Sequence, residues 1–175
     1  MNDFNFEIPV RAEAPYPEIS VCEPNHTYGR YILDNVGGHN SEMTAISFYY
    51  AGTTRLNSQQ AELSKLINRI NQVEMHHLMI FGKIATALGE NALLWTNCGR
   101  RKVWWSPSYT DYPGRLSLIL ETALAHEHAT VEKYKWQTER IQDKNIQDNL
   151  LRIIEDEKLH IEIFQNLISY FKKNS

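Results

Sequence analysis

The chain has 175 residues, 42% of them apolar, and a formal net charge of −3. That length makes one domain with a substantial core, and the faintly acidic balance supplies no basic field for nucleic acid. No apolar run reaches membrane length, and the N-terminus Met1-Asn2-Asp3-Phe4-Asn5-Phe6-Glu7 lacks the basic patch and apolar stretch of a signal peptide, so we expect no membrane partner and a cytoplasmic location.

Residues 1–27 hold four of the six prolines, Pro9, Pro15, Pro17 and Pro24. They predict an extended N-terminal arm that packs over a helical domain spanning 28–175. A first helix is expected from Tyr28 to Thr54, with Gly37-Gly38 as the place for a kink or interruption, because each glycine disfavours helix by about 1 kcal/mol. A second helix should begin after Asn57 or Ser58, either of which can cap it, and run to Leu88, with Gly89 at its C-terminal end. Residues 90–112 form a long connection carrying Trp95, Trp104, Trp105, Tyr109 and Tyr112. Its aromatic rings are expected to cover a face of the bundle. A third helix should run from Pro113, a residue suited to a first turn, to Gln142. Asp143-Lys144-Asn145 then turns the chain into a fourth helix ending near Phe171. These elements define an all-α fold, an antiparallel four-helix bundle with a long crossover between helices 2 and 3.

The two halves repeat one another. The first reads Gly29-Arg30-x-x-Leu33-x8-Glu42-x6-Tyr49, and the second reads Gly114-Arg115-x-x-Leu118-x8-Glu127-x6-Tyr134. Further on, Ile70-x3-Glu74-x2-His77-x2-Ile80-Phe81 is matched by Ile153-x3-Glu157-x2-His160-x2-Ile163-Phe164. So many matches in register indicate an internal duplication. Residues three apart share a helix face, so Glu74 with His77, and Glu157 with His160, can serve one site. Tyr49 stands two turns from Glu42, and Tyr134 two turns from Glu127. Buried unpaired, such groups on an apolar stripe would be costly. Four carboxylates and two imidazoles delivered by two helix pairs instead suit a two-metal centre inside a bundle. A single Glu-x-x-His is weak evidence; two, each preceded by a Glu about thirty residues earlier, are strong.

Neighbouring ionisable residues fit less well. His76, His126 and His128 point about 100° away from the adjacent candidate ligands. His26 and His39 read as ordinary polar residues, and Glu121, Glu139, Glu155 and Glu162 as surface charges. Asp156 is placed to accept from the free ring nitrogen of His77 across the bundle, an arrangement common around metal-bound imidazole; plain solvation is the alternative. Tyr49 and Tyr134 are candidate donors to the ligand carboxylates. No C-x-x-C pair occurs, which excludes a rubredoxin-type iron site or zinc ribbon within this chain. Cys22 and Cys98 read as reduced thiols in loops.

On Glu42, Glu74-x-x-His77, Glu127 and Glu157-x-x-His160, with Tyr49 and Tyr134 beside them, the sequence resembles the ferritin-like di-iron and di-manganese carboxylate superfamily over about residues 28–171. It is most similar to the rubrerythrin and manganese-catalase branches. The resemblance implies that Glu42 and His77 cap one metal, Glu127 and His160 the other, and that Glu74 and Glu157 bridge them. It departs from rubrerythrins at Thr130, where they carry a further carboxylate, and from many manganese catalases in having the fourth-helix Glu157.

The resemblance implies an oxidoreductase with two iron or two manganese ions per chain, acting on hydrogen peroxide or dioxygen. A peroxide reductase of the rubrerythrin type requires an external electron donor, whereas a manganese catalase requires none. The same donors suit both metals. A reading of another class is a non-catalytic protein that sequesters metal or serves as a coat. By analogy with related bundles, a homodimer is expected.

Overall fold

The protein is described from a computed structural model, covering residues 4–56 and 58–174. Five helices build the bundle: α1 (His26–Gly37), α2 (Glu42–Thr53), α3 (Ala61–Ala87), α4 (Leu116–Arg140) and α5 (Lys144–Lys173). A two-stranded antiparallel hairpin, β1 (Trp95–Cys98) and β2 (Arg101–Trp104), sits in the crossover between α3 and α4.

The expected first helix is broken into α1 and α2, and the glycine pair explains the break. A Cβ on Gly37 would lie 2.3 Å from the backbone nitrogen of Trp95, and one on Gly38 would lie 2.3 Å from Asp34 Oδ1. The hairpin therefore packs directly on the end of α1. Gly38 leaves the helix with extended backbone, and Ser41 restarts it by accepting from the Thr44 amide. The break makes Glu42 the first residue of α2, at the positive end of its helix dipole.

Other boundaries differ from the sequence reading. Ser58 opens a 3-10 turn, Ser58–Gln60, and does not cap α3; Gln60 precedes α3 without a side-chain cap. Asn57, the other candidate cap, lies outside the described residues. Gly89 follows the α3 cap with φ +92°, and its amide reaches Thr86 O, the left-handed ending that glycine permits. Pro113 is not in a helical first turn, because α4 starts three residues later at Leu116. Asp143 is the N-cap of α5, its carboxylate accepting from the Asn145 and Ile146 amides.

The crossover is more ordered than a loop. Thr96 on β1 donates to Asp34 of α1 at 3.1 Å, and Lys102 lies over both Trp95 and Trp104 at 4.2 and 4.3 Å from the ring centres. Trp95 is buried while Trp104 is exposed. Cys98 ends β1 and does not lie in a loop; both cysteines are exposed free thiols. No helix among the described residues is long and apolar enough to cross a membrane.

The apolar core has two parts. One joins Ile32, Leu33, Phe81, Ile84, Tyr134, Ile153 and neighbours; the other joins Phe48, Tyr49, Leu66, Ile70, Leu120, Phe164 and neighbours. The first is contacted by Tyr16, Ile19 and Val21 of the arm, and the second by Phe4, Phe6, Ile8 and Val10. A layer of buried carboxylates and imidazoles lies at mid-bundle, on the same helices.

Candidate metal centre

All six residues singled out by their spacing converge in that layer. Glu42, Glu74, His77, Glu127, Glu157 and His160 are each at most 3% exposed. Their donor atoms form two groups, each within a 4.8 Å span: Glu42, Glu74, His77 and Glu157 in one, and Glu74, Glu127, Glu157 and His160 in the other. Glu74 and Glu157 belong to both. One helix supplies each remaining carboxylate, α2 for Glu42 and α4 for Glu127, while α3 and α5 each supply a Glu-x-x-His pair.

The imidazoles share one orientation. His77 directs Nδ1 toward Glu74 and Glu157 at 3.3 and 3.2 Å, and His160 directs Nδ1 toward Glu74 and Glu157 at 3.1 and 3.2 Å. Their outer nitrogens are engaged elsewhere. His77 Nε2 lies 3.0 Å from Asp156 Oδ2, and His160 Nε2 donates to the Val10 carbonyl at 2.8 Å. The Asp156 contact expected from sequence is therefore present. Tyr49 donates to Glu127, and Tyr134 donates to Glu42, so each half of the repeat supports the other.

Protonation in this cluster follows from burial and mutual charge. Burial, with the charges of Glu74 and Glu157, holds the Glu42 carboxyl well above its usual range; burial, Glu157 and Glu74 do the same to Glu127. Burial disfavours charge on His77, but the Glu157 charge and the hydrogen bond to Asp156 outweigh it, and the imidazole titrates well above 6.5. Burial likewise opposes the His160 charge and is outweighed by Glu127, Glu157 and Glu74. Glu74 and Glu157 move down despite burial, because the two imidazoles stabilise their charged forms.

The donors fit a pair of metal ions. Glu74 Oε1, His77 Nδ1 and Glu157 Oε1 are buried without a hydrogen-bond partner. Nearby oxygens and nitrogens are at ion-pair distance, but they are not aligned for hydrogen bonds. Such orphaned atoms are costly in a folded protein; Glu157 Oε1 faces His77 and Glu74 Oε1 faces His160, so cations held in the two donor groups would satisfy them. Carboxylate and imidazole donors suit iron or manganese.

A cavity of about 210 Å³ reaches the cluster from outside, lined by His39, Asn40, Thr44, Tyr109, His126 and Thr130 around Glu42, Glu74 and Glu127. His126 is tied to Asp111 at 3.2 Å at this mouth. His76 and His128 are exposed, as are Glu121, Glu139, Glu155 and Glu162. Sequence reasoning missed Tyr16, whose hydroxyl donates to Asp156 at 2.6 Å, and Arg152, which donates to the same carboxylate at 2.7 Å. Arg152 had a usable signal, since Arg69 is its counterpart in the repeat. Tyr16 had none, because the arm is not duplicated.

Residues 38–168 match the rubrerythrin family. The chain belongs to that family. No curated protein sequence matches it. Among solved structures it is similar to two of KatB, a manganese catalase from Anabaena, with TM-scores of 0.81 and 0.80. Each pairing has 18% sequence identity and covers 93% of this chain and 80% of the other. At that identity the likeness concerns the fold: this rubrerythrin-family chain has the ferritin-like architecture that the resemblance implied.

Proposed function

We propose that the protein is a di-metal oxidoreductase that reduces or disproportionates hydrogen peroxide, or reacts with dioxygen, with two iron or two manganese ions per chain. The observation that carries this reading is the pair of buried donor groups sharing Glu74 and Glu157 at the inner end of a small cavity. Glu42 and His77 would hold one ion, Glu127 and His160 the other, with Glu74 and Glu157 between them. When bound, the pair supplies the electrons that O–O bond chemistry exchanges.

The chain's own residues define what reaches the cluster and what holds it. The cavity is below the roughly 300–1,000 Å³ of sites that enclose drug-sized organic ligands, which favours a molecule the size of peroxide or dioxygen. Tyr49 and Tyr134 orient the terminal carboxylates, Asp156 and the Val10 carbonyl orient the imidazoles, and two apolar core regions keep the helices rigid.

A manganese catalase is the second reading. Thr130, where rubrerythrins carry a further carboxylate, and the fold shared with KatB both support it. Counting metals per chain alongside oxygen release from added peroxide tests both. About two irons without oxygen release supports a peroxide reductase or oxidase dependent on an external electron donor. About two manganese ions with rapid oxygen release supports a catalase. A chain that takes up neither metal on reconstitution overturns the proposal.

A further inference from the structure

The duplication relates Ile153, Glu157 and His160 to Ile70, Glu74 and His77, and with the same register Arg152 to Arg69. One position near the cluster breaks the relation: the counterpart of Asp156 is Val73. The consequence is visible at the outer ring nitrogens. His77 meets a carboxylate, Asp156 Oδ2 at 3.0 Å. His160 has no such carboxylate partner, and its Nε2 donates to the backbone carbonyl of Val10 at 2.8 Å.

The arm supplies that carbonyl as one of five that accept from bundle side chains. Arg69 donates to the carbonyls of Phe6 and Ile8, His160 to Val10, and Arg152 to Ala12 and Ala14. Although the arm bends at Val10, Arg11, Glu13 and Ala14, every second carbonyl from Phe6 to Ala14 accepts from the bundle, and the middle one completes the cluster. Arg152, Tyr16 and the Ala12 amide meanwhile all donate to Asp156, which holds its carboxylate charged and aimed at His77.

A carboxylate hydrogen-bonded to a metal-bound imidazole raises its basicity as a ligand more than a neutral carbonyl does. Resting on the di-metal reading above, we infer that the two metal positions are unequal. The group of Glu42, Glu74, His77 and Glu157 takes the first ion, and the group of Glu74, Glu127, Glu157 and His160 takes the second more weakly. Asp156 is the positioning residue that creates the difference, acting through His77.

The test uses full-length, metal-free protein and stepwise addition of Mn²⁺, followed by calorimetry and electron paramagnetic resonance. Two affinities separated by about tenfold or more are expected, with a mononuclear Mn²⁺ signal dominating at one equivalent. In Asp156→Asn the first affinity should fall about 10–100-fold, the second should stay within about threefold, and the two steps should merge. Val73→Asp, which puts a carboxylate at the position the repeat pairs with Asp156, should tighten the weaker step. Equal affinities in the native protein, a dinuclear signal from the first addition, or equal weakening of both steps by Asp156→Asn would overturn the inference. The native protein decides the matter even where a variant fails to fold. Absence of any Mn²⁺ or Fe²⁺ binding would instead overturn the di-metal reading itself.

Discussion

The hydroxyl of Tyr49 on α2 donates to the carboxylate of Glu127 on α4, and the duplicate pair, Tyr134 and Glu42, does the same in the opposite direction. Each half of the chain thus orients the terminal carboxylate of the other. Both tyrosines are fully enclosed, and burial together with the adjacent carboxylates raises their own ionisation well above the ordinary phenol range. They stay neutral donors at any physiological pH.

Tyr49→Phe and Tyr134→Phe should each destabilise the protein by about 1–2 kcal/mol, the value of a buried hydrogen bond plus an acceptor left unmatched. Chemical denaturation of the metal-free variants measures this. A change below about 0.3 kcal/mol in both would mean that these hydroxyls do not anchor the carboxylates.

Glu74→Ala and Glu157→Ala should lose most of the bound metal, because each removes a donor shared by both groups. Glu155→Ala, on the exposed face of the same helix, should retain about the native content. Elemental analysis decides between them. A Glu157→Ala protein that still holds two ions per chain would place the centre elsewhere.

Metal uptake should be strongly pH-dependent. Glu42, Glu127, His77 and His160 all titrate above their ordinary values in the metal-free protein, and each must lose a proton to bind an ion. Metal binding should therefore displace protons, and apparent affinity should climb with pH. The buffer dependence of the calorimetric heat counts them.

The same shifts set the stability of the metal-free protein. The raised carboxyls favour folding below pH 4.5 and lose that advantage as pH rises through their folded values; the raised imidazoles do so from pH 6.5 upward. Glu74 and Glu157 act oppositely, losing their contribution as pH falls below 4.5 toward their lowered folded values. Metal-free protein should be most stable in mildly acidic solution, and the gain in melting temperature on adding Mn²⁺ should widen toward about pH 8. A gain that shrinks with rising pH would contradict these shifts.

Two glycines separate close approach from simple helix propensity. Gly37→Ala forces a methyl into the backbone of Leu94 and Trp95 and should cost about 1–3 kcal/mol. Gly82→Ala, inside α3 with nothing within 4 Å, should stabilise by about 0.5–1 kcal/mol. Thermal melts of the two variants should shift in opposite directions.

The repeat made the convergence of the candidate ligands legible. Glu42, Glu74, His77, Glu127, Glu157 and His160 could be named because helical periodicity converts spacing into a shared face. Six ionisable groups on an apolar stripe are also too costly to bury unless cations pair them. Asp156 was legible for the same reason, being one residue from Glu157 on a helix of known phase. The ends of the helices were less so. Pro113 and Ser58 carry the right local chemistry for a first turn or a cap, but packing starts α4 at Leu116 and α3 at Ala61. The hairpin was hidden because Trp95–Trp104 has no alternation long enough to distinguish a strand from an aromatic loop.

The amino-acid sequence by itself determined the bundle, the duplication and the six converging donors, since all follow from periodicities within single helices. Only the tertiary structure decided that the first helix breaks before Glu42, that Tyr16 and Arg152 brace Asp156, and that the Val10 carbonyl accepts from His160. Those features join residues as far as 150 positions apart. They depend on an irregular arm whose path is set by the hydrogen bonds it completes on the folded bundle, and no local pattern encodes such a path.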